Sequence, residues 1–183
     1  MATEIEIASN ALLLLGDDAI TSLTDDPVVN GIFEETYKSV LMTYPWSFAL
    51  ADETLTPSTE PFDETGYSKA FAMDSETLRV WAVFPIQNYR IVGYRLYTNA
   101  SAATVRHVRR VDTSLLPATV QKALEYKLAS DFAMSITEDI NKANFYEQKY
   151  LDALAMAQTI DAQQHPPEPI MRNPLSRKRR WRR

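Results

Sequence analysis

The spacing of the apolar residues changes twice along the 183-residue chain. Up to residue 48 it follows the period of a helix, between 49 and 113 it approaches the alternation of strands, and from 114 to 161 the helical period returns. The simplest way to bury these faces is a four-helix bundle, residues 1–48 and 114–161, with a small antiparallel β domain, residues 49–113, inserted between its halves. We therefore expect a mainly α, α+β fold.

Capping residues set the helix boundaries. Thr3 and Glu6 form a capping-box pattern, and Gly16 stands where a left-handed residue ends a helix. Asp26 followed by Pro27 is typical of a second helix start. The predicted helices are residues 4–15, residues 27–43, a third from Ser114 or Leu116 (Pro117 in its first turn) to Ile136, and a fourth that is capped by Thr137 and ends near Asp161.

The middle of the chain predicts three strands, residues 78–84, 89–97 and 104–111. Residues 85–88 form the turn between the first two. The segment DETLTPSTEPFDETGY, residues 52–67, is broken by prolines and a glycine and is predicted to be a long loop. Residues 162–183 contain several prolines without periodicity and predict an extended C-terminal arm.

An aromatic stretch, PWSF, ends the second predicted helix. Pro45 stops the helix, and Trp46 and Phe48 follow it directly. Such residues usually fill the core where a helix meets the next layer, although stacking on a ligand is the alternative.

The charge is concentrated by segment. The last twelve residues, RNPLSRKRRWRR, carry seven basic side chains, whereas residues 1–171 carry twelve against 24 acidic ones. An acidic body repels the phosphate backbone of DNA, so the partner should bind the tail. Three interpretations remain open: a tail without function, contact with nucleic acid, or docking on an acidic or grooved protein surface. Trp181 among arginines suits both an interface anchor and base stacking.

Catalytic chemistry finds little support. The chain has no cysteine and two isolated histidines, His107 and His165, so neither a thiolate site nor a zinc site is expected. The four glycines are too far apart for a nucleotide-binding loop. Asp17–Asp18 and Asp25–Asp26 are the visible carboxylate pairs, but they flank turns and helix starts, where Asp normally caps backbone amides. Asp131 is expected to make a buried polar contact or an oligomer contact.

No signal peptide and no membrane span is predicted, because the start lacks a basic region and the longest apolar run is short. We expect a soluble protein without a cofactor or metal.

Several blocks of the sequence resemble the head-to-tail adaptor proteins of short-tailed bacteriophages, also called tail tubular protein A. The blocks are IASNALLLLGDDAITSLTDD, YKSVLMTYPWSFA, YSKAFAMDSETLRVWAV and ASDFAMSITEDINKANFYEQKYLDALAMA, in this order and over nearly all of residues 4–165. What matches is a series of apolar and aromatic blocks with LG, PWSFA and LRV, and no catalytic signature.

The resemblance implies a structural virion protein that is made in the cytoplasm of the host bacterium. In the family, twelve copies form a ring beneath the portal and join it to the tail nozzle, a tail tubular B-like protein, around the channel through which DNA passes without specific binding. The family's fold is a helical bundle with an inserted β domain. Here that domain and loop 52–66 would face a neighbouring subunit, the nozzle or tail fibres.

The resemblance also gives the arm a role, because the family's C-terminal segment extends from the bundle and holds the portal. The residues expected to dock on the portal are Pro169, Ile170, Met171, Arg172, Leu175, Arg177, Lys178, Arg179, Arg180, Trp181, Arg182 and Arg183. Some related adaptors are credited with peptidoglycan hydrolysis, but no residue here matches a motif for it. A nucleic-acid-binding protein and a cell-wall hydrolase remain the alternatives to a non-enzymatic adaptor.

Overall fold

The computed structural model describes residues 3–58, 66–136 and 138–164. Within these ranges the chain forms a mixed α+β structure with four helices and seven strands, and the strands lie between the second and third helices along the chain. The helices are α1 (Glu4–Leu15), α2 (Pro27–Thr43), α3 (Ala118–Ser135) and α4 (Ile140–Gln164). The strands are β1 (Leu50–Thr54), β2 (Thr56–Pro57), β3 (Lys69–Ala72), β4 (Thr77–Phe84), β5 (Tyr89–Val92), β6 (Arg95–Thr98) and β7 (Thr104–Arg109).

The first two helices have the boundaries predicted from their caps. Thr3 Oγ1 accepts from the Glu6 N–H at 3.2 Å, and the Glu6 carboxylate accepts from the Thr3 N–H at 2.8 Å. Gly16 ends α1 with φ of +85°, a conformation that glycine adopts without strain. The Asp26 carboxylate caps α2 by accepting from Val28 N–H and Val29 N–H.

The last two helices differ at their ends from the prediction. Helix α3 begins at Ala118, after a 3₁₀ turn at Thr113–Leu115 that occupies the predicted start. The predicted cap of α4, Thr137, lies outside the described residues, and the Asp139 carboxylate instead accepts from the first amides of α4, Asn141 N–H and Lys142 N–H. Helix α4 continues to Gln164, so the expected arm boundary at 162 is too early. Alanine and glutamine favour a helix, which makes this extension physically reasonable.

The strands form two antiparallel sheets. The three-stranded sheet has the order β1-β7-β4, and the four-stranded sheet has the order β2-β3-β6-β5. Of the predicted strands, 78–84 corresponds to β4 and 104–111 to β7, which ends two residues earlier, at Arg109.

The prediction of one strand over residues 89–97 is wrong, because this segment forms the hairpin β5–β6. Val92 pairs with Arg95, so Gly93 and Tyr94 form a two-residue turn. Gly93 has φ of +58°, and the first central position of a type II′ turn requires such a residue. The aromatic and branched residues on both sides make the segment resemble a single strand, and the glycine divides it.

The predicted loop 52–67 is also partly wrong. Strand β1 continues to Thr54, and Thr56–Pro57 forms β2 at the edge of the four-stranded sheet. An edge strand tolerates proline because one of its sides needs no ladder hydrogen bond. Residues 59–65 of the predicted loop lie outside the described residues.

Two hydrophobic cores hold the elements together. The first lies among the four helices, with α3 in contact with α1, α2 and α4, and it includes Val108 of β7. The second is formed by the strands and their connections and includes Val105 of β7. Because Val105 and Val108 point to opposite faces of one strand, β7 joins the two cores. None of the helices in the described ranges combines the length and the apolarity needed to cross a bilayer.

Candidate functional site at the helix–sheet junction

The segment that joins α2 to β1, residues 44–48, forms the helix–sheet junction. Trp46 is fully buried there, and its Nε1–H donates to Val40 O at 3.1 Å. The Tyr44 ring meets the Trp46 ring edge-on at 4.9 Å, and the Phe48 ring stacks on it at 5.8 Å. Because its indole faces protein on all sides, Trp46 fills the core and offers no surface on which a ligand could stack.

The last turns of α4 are attached to the same junction. The Asp161 carboxylate accepts from Ser47 N–H at 3.2 Å and from Ser47 Oγ–H at 2.6 Å. Asp161 is only 7% exposed, so these hydrogen bonds replace most of its contact with water. The chain beyond Gln164 therefore continues from a helix whose end is fixed beside Trp46.

Sequence reasoning missed this attachment. The apolar pattern of α4 ends near Asp161, and an acidic residue at such a point is usually exposed. Ser47 lies 114 positions earlier, and neither residue carries a motif that relates it to the other. The available signal was Asp161 itself, a polar residue on the side of α4 that faces the junction. It could be recognised only once the direction of α4 was known.

A strand residue completes the junction from the other side. Arg79 of β4 donates from Nη1 to Met42 O at 2.7 Å, and its guanidinium lies 4.6 Å from the centre of the Trp81 ring. The last turn of α2 contains no basic residue of its own. Arg79 therefore supplies both a hydrogen-bond partner and a positive charge for the carbonyl end of the helix.

A second ionic cluster fixes the start of α1 to α2. Arg110 Nη2 lies 3.0 Å from Glu4 Oε1 and 2.6 Å from Glu34 Oε1. Its guanidinium also lies 5.5 Å from the centre of the Tyr37 ring, whose hydroxyl donates to Val111 O at 2.8 Å. Burial raises the pKa of Tyr37, and the lowering effect of Arg110 is smaller. The cluster is structural, since its polar groups satisfy one another.

Asp131 was expected to make a buried polar contact or an oligomer contact. It lies between α2 and α3 in a polar groove with a volume of about 430 Å³. Its carboxylate accepts from Thr36 Oγ1–H at 2.7 Å and from Lys127 Nζ at 3.0 Å, and Lys127 also donates to Glu147 of α4 at 2.9 Å. Burial lowers the pKa of Lys127, but its hydrogen bonds to the two carboxylates outweigh that effect and raise it. Asp131 thus makes a half-buried polar contact that links three helices.

The acidic pairs do not come together as an active site in the described residues. Asp26 caps α2, whereas Asp17 and Asp18 are exposed after α1, and Asp17 Oδ1 accepts from Asp18 N–H. The side chain of Asp25 lies outside the described part of the chain. His107 Nδ1 is 3.0 Å from Thr77 Oγ1 and its Nε2 is 3.5 Å from Glu53, which makes it a cross-strand contact.

The part of the chain that the structure describes contains no metal site, and the predicted docking arm lies outside it. In residues 3–58, 66–136 and 138–164, no group of three or more His, Asp or Glu side chains is placed to hold a metal ion. His165 and all twelve predicted portal-docking residues, from Pro169 to Arg183, lie outside the described residues.

Comparison with known proteins gives no independent family assignment. No protein-family model matches the chain, and no curated protein matches it.

Proposed function

We propose that the protein is a head-to-tail adaptor of a short-tailed bacteriophage, a non-enzymatic virion component. Twelve copies form a ring between the portal and the tail nozzle, and the C-terminal segment of each copy docks on the portal. The four helices form one bundle and residues 49–113 an inserted β domain. The sequence blocks that resemble the adaptor family support this proposal, together with the positions of these blocks in the fold.

Three of the resembling motifs lie where elements are joined. The LG motif ends α1 at Gly16, the PWSFA motif forms the helix–sheet junction, and the LRV motif places Arg79 on the end of α2. Residues of this kind determine how helices and sheets are arranged, so a resemblance based on them concerns architecture.

The observation that carries the proposal is the attachment of α4 at Asp161. A segment with seven basic side chains begins eleven positions further along the chain, at residue 172. The rest of the protein, residues 1–171, has a net negative charge, with 24 acidic and twelve basic side chains. A docking arm transmits force to the particle only if its root is held, and the Ser47–Asp161 hydrogen bonds hold that root. An arm that becomes ordered on its target loses about 1–2 kcal/mol of backbone entropy per residue, which arginine forks and a buried tryptophan can offset.

The proposal is tested by mixing the protein with its portal and imaging the complex by electron microscopy. We expect a ring of copies on the portal, with density for residues 172–183 in contact with it. Removal of residues 172–183 should abolish portal binding while the remainder keeps its circular dichroism spectrum.

Two outcomes would contradict the proposal. If the truncated protein binds the portal as well as the full chain but loses binding to DNA, the tail is a nucleic-acid-binding segment. If the protein releases fragments from purified cell wall, and replacement of Asp17, Asp18, Asp25 or Asp26 stops the release, it is a hydrolase.

A further inference from the structure

The two halves of the β region carry opposite charges. Residues 50–76 contain seven acidic side chains and one basic one, whereas residues 77–111 contain six arginines and no acidic side chain. In the four-stranded sheet, β2 comes from the acidic half and lies at one edge, and β5 comes from the basic half and lies at the other. The two edges of this sheet are thus made from segments of opposite charge.

Strand β5 and its two connections present apolar side chains to solvent. We call this the β5 surface: Ile86, Tyr89, Arg90, Ile91, Val92 and Tyr94. All six side chains are exposed, with Ile86 at 89% and Tyr94 at 57%. Aromatic and aliphatic residues around an arginine, without acidic side chains, are typical of the centre of a protein–protein interface. An exposed apolar edge strand that has no partner is otherwise an aggregation hazard.

The backbone of β5 can also accept a partner. In a two-residue hairpin Val92 and Arg95 are a hydrogen-bonded pair, so the next such pair is Arg90 and Tyr97. The N–H and C=O groups of Tyr89 and Ile91 therefore point away from β6. In the described part of the chain no strand pairs with this edge of β5. An extended segment can use these groups by strand addition.

We propose that the β5 surface binds residues 59–65, TEPFDET, of a second copy of this chain. This segment follows β2 and carries Glu60, Asp63 and Glu64 around Phe62, without a basic residue. Its charge is opposite to that of Arg90, and its phenylalanine suits the apolar side chains beside it. The inference deepens the proposed function, and it rests on that function for the closing of the contacts into a ring.

The length of the segment favours a second copy over the same chain. Ser58 and Gly66 are eight residues apart, so a loop between them extends at most about 14 Å from its base. The β2 and β5 positions in the sheet are three strand spacings apart, also about 14 Å. The segment would reach its own β5 only when fully stretched, with no residue left to lie along the strand.

Two other binding partners, the C-terminal tail of a second copy and a nucleic acid, suit the β5 surface less well. Residues 172–183 of a second copy are basic, as the β5 surface is, and would be repelled by it. A nucleic acid is bound through several cations, whereas Arg90 is the only basic side chain of the β5 surface. A contact between two different surfaces is head-to-tail, and such contacts repeat from copy to copy and form a ring when the rotation between copies closes.

The absence of native cysteine allows a direct test by disulfide cross-linking in the full-length protein. One protein carries Val92→Cys, at the exposed end of β5, and the other carries Thr59→Cys or Thr65→Cys. After mixing and mild oxidation we expect several-fold more cross-linked dimer than from the control mixture of Val92→Cys with Lys38→Cys. Lys38 is a position on α2 whose side chain is 44% exposed. Addition of Arg90→Glu to the Val92→Cys protein should reduce the yield, as should salt, which screens exposed charges.

Other yields would overturn the inference. If Val92→Cys cross-links to residue 59 or 65 no better than to residue 38, these surfaces do not meet. If Val92→Cys cross-links mainly to itself, two β5 edges pair symmetrically and the proposed occupant is wrong. Circular dichroism of each variant verifies that it is folded. Portal binding is measured separately, so a protein that cross-links as expected without binding the portal keeps this interface and loses the adaptor function.

Discussion

Ser47 and Asp161 are joined by hydrogen bonds across 114 positions of sequence, and they fix the end of the last described helix to the connection between α2 and β1. Asp161 is buried, and its carboxylate accepts hydrogen bonds from both the amide and the hydroxyl group of Ser47. The pair therefore couples the helical part of the protein to the beginning of its first sheet.

Replacement of Asp161 by alanine should lower the free energy of unfolding by about 1.5–3 kcal/mol, because it leaves the Ser47 amide without its charged acceptor. Urea denaturation followed by circular dichroism measures the change. Asp152→Ala, at an exposed position of the same helix, is the matched control and should change the stability by less than about 0.5 kcal/mol. Equal effects of the two substitutions would show that the Ser47–Asp161 contact contributes nothing to stability.

Tyr37 should make the protein sensitive to alkaline pH. Burial raises the pKa of its hydroxyl in the folded state above the value of about 10 in an unfolded chain. A group whose pKa is raised by folding contributes stability that is complete below the unfolded pKa and is lost as the pH rises above it. Tyr37→Phe should thus be less stable at pH 8 by about 1 kcal/mol, since Val111 O loses its donor.

Above pH 10 the free energy of unfolding should fall more steeply with pH for the wild type than for Tyr37→Phe. The difference between the two slopes should be about 1.4 kcal/mol per pH unit. Unfolding free energies at pH 8, 10 and 11 measure the two slopes. Tyr94→Phe removes an exposed hydroxyl and serves as the control. Parallel curves for Tyr37→Phe and the wild type would mean that this hydroxyl does not resist ionisation in the folded protein.

Two glycine-to-alanine substitutions should act in opposite directions. Gly16 has φ of +85°, so alanine there is strained and should destabilise the protein by about 1 kcal/mol. Gly31 lies inside α2, and a Cβ added to it meets no atom within 4 Å. Gly31→Ala should stabilise the protein by about 0.4–1 kcal/mol, because it restricts the unfolded chain. Thermal unfolding of both variants measures the two changes. A change of the same sign at both positions would contradict the left-handed conformation of Gly16 or the helical conformation of Gly31.

Removal of residues 172–183 should leave only weak binding to duplex DNA. The remaining body is acidic, and three of the six arginines of the β region are already bonded to protein oxygens. Fluorescence anisotropy with labelled duplex at two salt concentrations measures the affinity and its salt dependence. A full-length variant with the tail arginines and Lys178 replaced by glutamine separates the effect of charge from that of length. Tight, salt-sensitive binding by the truncated protein would reveal a basic surface on the body.

The parts of the fold that depend on neighbouring residues were predictable from sequence. Capping at Thr3, Gly16 and Asp26 gave the boundaries of α1 and α2, because a cap is a local hydrogen-bonding pattern with few alternatives. The change from helical to alternating spacing likewise gave β4 and β7. Each of these features is determined within a few residues.

The features that could not be predicted from sequence depend on contacts between residues that are far apart along the chain. Strands β1 to β3 are short, and their pairing partners are set by the sheet order, which the sequence does not encode locally. Gly93 divides an aromatic run that reads as one strand until the partner of each half is known. At the candidate site, Trp46 could be predicted as a core residue, but its connection to α4 through Ser47 and Asp161 could not, because neither polar residue has a distinctive neighbour.

The central position of β7 and of α3 affects the order in which the chain can acquire its structure during synthesis. Strand β7 lies between β1 and β4, although it is the last of the seven strands to emerge from the ribosome. Helix α3, which contacts the other three helices, emerges later still. The first half of the chain must therefore wait, with apolar surface uncovered, until residues beyond 135 have been translated, and a nascent chain halted before that point should depend on chaperones to stay unaggregated.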